Sequence, residues 1–226
     1  ITTALSPHSE LSTEPRWRRL YMGYGEHSGL VADCVRAYAD GFQTSIGDSC
    51  IEGAWGRESV NAMAKHWPGG ATGEAGRDAH FGVGKYAVYP GNNFEEHLVP
   101  FTKGAFALKE GTTQVAAIMP YYTISYNQDP SGQNVGNALS EYMIKDLLRG
   151  KYGYKGVICT DWRVAEKYVD HRTSNGKPYG YENIPVEEVF YRAMILGVDQ
   201  FGGVNSTVNI KKAYALGIER LGEKAI

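Results

Sequence analysis

Five short apolar runs punctuate the chain, each ending in a polar, aromatic or glycine cluster. They are TTALSP (2–7), NAMAKHW (61–67), QVAAIMPYY (114–122), GVICTDW (156–162) and GVDQFGG (197–203). Short continuous apolar runs of this kind suit strands buried on both faces, as in parallel sheets. Between them the apolar positions recur at helical spacing. Leu30, Cys34, Tyr38 and Phe42 form one stripe, and Phe94, Leu98, Phe101 and Ala105 form another. Leu139, Met143 and Leu147 form a third, with Gly150 placed as its C-terminal stop. Pro185 opens a fourth, lined by Val186, Val189, Phe190, Ala193 and Met194 and ended by Gly197. Ile210, Ala213, Tyr214, Ile218 and Leu221 make the last.

Strand then helix, repeated, predicts βαβ units around a parallel sheet. A doubly wound sheet and an eightfold barrel both satisfy that alternation. No GxGxxG follows the first strand, which counts against a dinucleotide fold. Polar residues cluster at the C-terminal ends of several different strands, where barrel enzymes place their chemistry. The expected fold class is therefore α/β, a (β/α)8 TIM-type barrel of which about five βα units are visible, with about three more expected upstream. No internal repeat or low-complexity tract interrupts the pattern.

Composition narrows the function without naming it. The chain has 226 residues, 42% hydrophobic and 21% charged, with a formal net charge of −2. That balance lacks the basic stripe a nucleic-acid partner needs, and no apolar run approaches the roughly 18 residues of a membrane span. Cys34, Cys50 and Cys159 have no CxxC spacing, read as structural, and report no compartment. Asn205-Ser206-Thr207 fits a glycosylation acceptor. A secreted or periplasmic location is slightly favoured over a cytoplasmic one. Glycine (28) and tyrosine (16) are abundant, as suits tight turns around a site that stacks flat ligand faces such as sugars.

The candidate chemistry sits where the runs end. Asp161 closes a buried strand beside Trp162, and a carboxylate next to an indole can build a sugar subsite. Read alone, Asp161 is equally a structural cap. Lys65 and His66 end another strand, either to bind hydroxyls and hold a carboxylate ionised or to form a salt bridge in the barrel mouth. Arg16, Trp17, Arg18 and Arg19 form a basic-aromatic cluster, and Met119 and Tyr122 end a third strand. The glycine-rich loop 68–82 carries Glu74, Asp78 and His80; loops of that length are usually flexible or functional.

Together, EPRWRRLYMGYGE (14–26), AKHWPGG (64–70), GRDAHFGVGKYAVYPG (76–91), MPYY (119–122) and GVICTDW resemble glycoside hydrolase family three. The resemblance covers nearly the whole chain from about residue 5, with five motifs in the family's order. It implies a retaining β-glucosidase or β-xylosidase that releases terminal non-reducing β-linked sugars through a covalent glycosyl-Asp intermediate. Asp161 matches the nucleophile. Lys65, His66 and Arg19 match the ligands of sugar hydroxyls, Tyr122 the tyrosine against the nucleophile, Met119 a residue lining the same pocket, and Trp162 the wall of the leaving-group subsite. Arg18 stands where the family has Gly.

Lys65 and Arg19 would hold Asp161 ionised by opposite charge. The retaining mechanism also needs an acid/base group about 5–5.5 Å away. In most of the family this is a Glu on an α/β sandwich domain, and a further sugar-binding Asp comes from an early barrel strand. Residues 1–226 are accordingly expected to be a partial barrel catalytic domain, without the N-terminal barrel units or the C-terminal sandwich domain. Missing segments of the same enzyme, or another copy, would complete the site. One branch, the β-N-acetylglucosaminidases, instead uses an Asp-His loop dyad, which Asp78 and His80 imitate, although Gly70 stands where that branch has His. A third expectation is a non-catalytic barrel fragment that at most binds sugar. The partner is expected to be a small carbohydrate, a β-glucoside or oligosaccharide, with no nucleic acid, membrane, cofactor or metal.

Overall fold

The computed structural model describes residues 1–166, 169–170, 174–175 and 177–225. Its centre is a parallel sheet of four strands, β1 (Thr3–Ala4), β2 (Asn61–Trp67), β3 (Ala117–Pro120) and β4 (Val157–Ile158), adjacent in that order. Helix α1 (Ser28–Gln43) connects β1 to β2. Helix α2 (Phe94–Val99) runs at Pro100 into a wider-turned segment, Pro100–Ala105, before β3. A second wide-turned helix, Tyr142–Lys151, precedes β4. Helices α3 (Val186–Ile195) and α4 (Val208–Leu221) follow and pack on each other.

The register decides which residues share a face. Lys65 pairs with Met119, and Ala117 with Val157. Because successive side chains alternate across a strand, Met63, Lys65, Ala117, Met119 and Cys159 fall on one face. Ala62, Ala64, Ile118 and Ile158 fall on the other, where they join Val31, Val35, Leu98 and Phe101 in the main core. Met63, Ala117, Met119 and Cys159 form a separate small apolar cluster. Burial pushes the Cys159 thiol up to about 11, as expected of a small buried hydrophobe.

Gln43, fully buried at the end of α1, joins two strand entries. Its Oε1 accepts from the amides of Ala62 (3.2 Å) and Ala116 (2.7 Å), and its Nε2 donates to Thr112 Oγ1 (3.1 Å) and the Gln114 carbonyl (3.0 Å). Trp67, also fully buried, donates its indole N–H to the Met143 carbonyl (3.0 Å) and meets Phe101 edge-on, which docks the helix over 142–151 against the end of β2.

Two expectations change. The run 197–203 forms no strand; it contributes a single parallel bridge, Gln200 to Cys159. It turns away early because the Trp162 indole fills the space beside Gly202 and Gly203. A Cβ at Gly203 would lie 2.5 Å from Trp162 Cδ1, and Gly203 has φ +66. Gly150 does not stop its helix. It lies within Tyr142–Lys151, and the left-handed residue is Gly153, φ +60. The wider turn lets the Tyr152 amide reach back five residues to the Leu147 carbonyl (2.9 Å), which carries the helix past Gly150.

Three small pairings among the described residues lie outside the apolar-run pattern, one of them the antiparallel pair of Val169–Asp170 with Ser174–Asn175. Cys50–Glu52 and Trp55–Gly56 form an antiparallel hairpin, and Tyr86–Ala87 pairs in parallel with Ile124–Ser125, tying the loop after β2 to the chain after β3.

Replacing Gln43 by Leu leaves the Ala62 and Ala116 amides unpaired in the core. A buried orphan costs about 1–3 kcal/mol, so the expected loss is roughly 3 kcal/mol, read as a lowered midpoint in urea unfolding.

Candidate active site

The C-terminal ends of β2, β3 and β4 bring their side chains to one rim. The backbone sets Asp161 there. Its amide bonds to the Pro120 carbonyl (3.3 Å), the Thr160 amide to the Gln200 carbonyl (2.9 Å), and Thr160 Oγ1 accepts from the Gly202 amide (3.0 Å). The carboxylate is 6% exposed and its two oxygens are treated unequally. Oδ1 accepts from the Trp162 amide (2.6 Å) and lies 2.9 Å from the Tyr122 hydroxyl, which also sits 2.8 Å from the Trp162 carbonyl. Burial, then the Asp161 charge, push the Tyr122 phenol far up, so it stays a proton donor. Oδ2 faces His66 Nε2 at 3.5 Å, and among the described residues no hydrogen bond reaches it. One oxygen is held and the other is left for a ligand.

Positive charge collects beside it. Burial lowers the Lys65 pKa, while Glu10 and Asp161 pull it back up. Arg19 donates from Nη2 to the Tyr121 hydroxyl (2.8 Å), and its guanidinium lies over the rings of Trp17 and Tyr121. Burial works against the Arg19 charge, but Tyr121, Glu10 and Asp78 outweigh it and raise the pKa. Behind His66 lies Glu10, 1% exposed, whose Oε1 takes His66 Nδ1 and whose Oε2 lies 3.2 Å from His8 Nδ1. Burial would raise the Glu10 pKa, but His66 and then His8 bring it well below the usual carboxylate range. His8, Glu10 and His66 present ligand atoms within 4.8 Å of one another, a spacing a metal ion could use. Arg19 and Lys65 already direct two positive charges at that carboxylate, which disfavours a third cation.

The loop after β2 forms the outer wall. The Asp78 carboxylate accepts from the His80 amide (2.8 Å) and pairs with His80 Nδ1 (2.6 Å). Burial opposes the Asp78 charge, but the His80 contacts lower its pKa to about 2. The His80 ring meets Tyr122 edge-on at 4.9 Å. Lys177 Nζ lies 4.4 Å over the Tyr122 ring. Burial lowers its pKa, and Asp161 and Asp78 partly offset this. The Tyr179 hydroxyl donates to the Ala79 carbonyl (2.8 Å) and pins the Lys177 segment to the loop.

Asp161, His66, Lys65, Tyr122 and Arg19 thus converge, with His80 and Asp78 beside them. Trp162, 42% exposed, leans outward over Gly202 and Gly203. Met119 lies beneath the rim in the cluster with Met63. Arg18, where the resemblance expects Gly, reaches Asp78 Oδ2 (3.4 Å). Glu74 turns out to an exposed pair with Arg77. Sequence reasoning missed Glu10, Tyr121 and Lys177. Tyr121 adjoins a recognised tyrosine, and Glu10 lies just past the first apolar run, where a buried acid was a signal to follow. Lys177 carries no local signal.

The sequence profile described as "Glycosyl hydrolase family 3 N terminal domain" matches residues 1–208. "Beta-glucosidase C" of Emericella nidulans is 39% identical over 207 residues, 90% of this chain and 31% of the relative. The "Periplasmic beta-glucosidase/beta-xylosidase" of Dickeya chrysanthemi is 36% identical over 226 residues, 94% of this chain and 33% of the relative. The chain spans about a third of the length of these curated relatives. Among solved structures, a β-glucosidase involved in saponin metabolism from intestinal bacteria superposes with TM-score 0.73 at 21% identity, over 100% of this chain and 26% of that one. A β-glucosidase from Listeria innocua in complex with isofagomine gives 0.70 at 20%, over 99% and 27%. These likenesses show the fold, which is of the α/β TIM-barrel class. A profile match over most of the chain and relatives above 35% identity lead to one conclusion: the chain belongs to glycosyl hydrolase family 3.

Proposed function

We propose that this chain supplies the nucleophile and the first sugar subsite of a retaining β-glycosidase, a β-glucosidase or β-xylosidase. The carrying observation is the unequal treatment of Asp161. Tyr122 and the Trp162 amide hold Oδ1, leaving Oδ2 for attack. In the first half-reaction Oδ2 bonds to the anomeric carbon as the glycosidic bond breaks, and the departing oxygen takes a proton from the acid. In the second, water attacks the anomeric carbon, gives its proton to the same group, and frees the carboxylate. Lys65, His66 and Arg19 hold the ring hydroxyls, in contacts that tighten as positive charge develops on the sugar. Trp162 offers an aromatic face to the leaving group. The reaction calls for no organic cofactor.

The barrel and its acid are completed by further βα units and by a Glu from an α/β sandwich domain, outside these 226 residues. Among the described residues β1 is an open edge of the sheet that such units would cover, whereas residues 199–200 already bond along β4. The Dickeya chrysanthemi relative is named as periplasmic, which supports export. No described helix is long and apolar enough to cross a membrane.

A second reading has one observation in its favour: the Asp78–His80 dyad lies against Tyr122 and could serve as a loop acid. Gly70 speaks against assigning the chain to the N-acetylglucosaminidase branch on that basis. A Cβ there would come within 2.8 Å of Tyr121 and 3.1 Å of Glu10 Oε1, so the His of that branch has no room.

Incubating the full-length enzyme with a 2-fluoro glycoside and mapping peptides by mass spectrometry should label Asp161. Attachment to any other residue defeats the mechanism. Asp161→Asn should lower kcat by about 10^4-fold or more, measured on an aryl glucoside or xyloside, and a variant with near-normal turnover ends the proposal. His80→Ala should lower kcat less than tenfold if the acid lies on another domain; a loss as deep as that of Asp161→Asn moves the acid to the loop.

A further inference from the structure

We propose that Lys177 is a specificity residue on the leaving-group side of the site, and that it favours leaving groups carrying a carboxylate. This rests on the glycosidase reading above and extends it to the group that departs.

Contacts far along the chain place the side chain. Tyr179, 2% exposed, donates its hydroxyl to the Ala79 carbonyl (2.8 Å), and its own carbonyl accepts from the Gly136 amide (2.9 Å). The Tyr179 amide turns back to the Lys177 carbonyl (2.7 Å). Position 180 is closed to a side chain, because a Cβ there would lie 2.7 Å from the Asn134 carbonyl oxygen and 2.8 Å from Val135 Cγ1. Lys177 is thereby held half-buried on the wall, with Nζ 4.4 Å over the Tyr122 ring. Its charge interacts with Asp161 and Asp78 and, in the opposite sense, with Arg163, the residue after Trp162. Nζ therefore lies between the 78–80 loop and the Trp162–Arg163 turn. Lys65, His66 and Arg19, the ligands of the sugar hydroxyls, gather instead around Glu10.

That ammonium is unmatched. It carries three donors and no acceptor, and among the described residues no hydrogen bond or carboxylate at ion-pair distance reaches Nζ. The neighbouring cations are matched: Arg18 Nε lies 3.4 Å from Asp78 Oδ2, and Arg163 Nε 3.3 Å from Glu166 Oε2. The neighbouring carboxylates are engaged as well. Asp78 holds His80, and Asp161 Oδ1 accepts from Tyr122 and the Trp162 amide. A half-buried charge has given up part of its water and needs a replacement. A carboxylate on the ligand supplies both an acceptor and the opposite charge, and such charge-assisted bonds are the strong ones. A hydroxyl supplies the acceptor alone. Trp162, 42% exposed beside the same wall, offers its face to a flat leaving group. The class selected is thus an aryl β-glycoside whose ring bears a carboxylate. Asp161 and Asp78 repel an anion that fails to reach Nζ, so the preference hangs on this one side chain.

The test uses the full-length enzyme and two matched aryl β-glycosides, one with a para carboxylate on the leaving ring and one with a para carboxamide. The ratio of their kcat/KM values, carboxylate over carboxamide, should fall about tenfold in Lys177→Met, the worth of one charge-assisted bond. It should stay within about threefold of wild type in Lys177→Arg, which keeps the charge. Sodium chloride at about 0.5 M should shrink the wild-type ratio and leave that of Lys177→Met unmoved. A ratio cancels any loss common to both substrates, so a lysine with a merely structural role leaves it unchanged; that result overturns the proposal. A second reading needs no turnover. Free para-hydroxybenzoate should bind the wild type more tightly than para-hydroxybenzamide in an NMR titration, and Lys177→Met should lose the difference. Equal binding of the two by the wild type also sinks the inference. A 2-fluoro label away from Asp161 defeats the glycosidase reading instead, and the binding difference is then judged by itself.

Discussion

The parallel register of three neighbouring strands is the constraint on which the site depends. Once Ala117 pairs with both Met63 and Val157, the period of two leaves no freedom. Lys65, Met119 and Asp161 must rise on the same side, and the intervening alanines and isoleucines must face the helices. A slip of one residue in β4 would bring Thr160 to the rim in place of Asp161 and turn the carboxylate into the core. Gln43 bonds both Ala62 and Ala116, clamping β2 and β3 in step at the end opposite the chemistry.

Charge at the rim obeys a second constraint. Ionised groups leave water only when other charges or hydrogen bonds replace it. Glu10 and Asp161 are both nearly buried, with His66 lying between them. Arg19 and Lys65 answer Glu10 from one side, and Lys177 stands near Asp161 and Asp78 from the other. The bases are thus partly desolvated, and each of the two lysines has its pKa lowered by burial. Such a network sets cationic and neutral donors around two nearly buried carboxylates.

The glycines here serve packing as much as turning. Gly203 yields its side-chain space to Trp162, and Gly70 yields to Tyr121 and Glu10. The loop that follows is held less by its own turns than by distant partners. The Tyr179 hydroxyl reaches Ala79 from a hundred residues on, and Tyr86–Ala87 pairs with Ile124–Ser125. Arg18, where the resemblance expects Gly, finds Asp78 through this arrangement.

The sequence by itself determined the alternation of strand and helix and singled out Asp161, Lys65, His66, Arg19 and Tyr122 as candidates, because burial periodicity and family motifs are local. It did not show that GVDQFGG stops at a single bridge, since that depends on an indole forty residues earlier occupying the turn. Nor did it show the wide turns that carry through Gly150 the helix docked on Trp67. Glu10, Tyr121 and Lys177 were left to the tertiary structure for the same reason. Their roles consist of distances to residues 56, 102 and 55 positions away, the separations of Glu10 from His66, Tyr121 from Arg19 and Lys177 from Tyr122. No local pattern encodes such distances; only the folded register closes them.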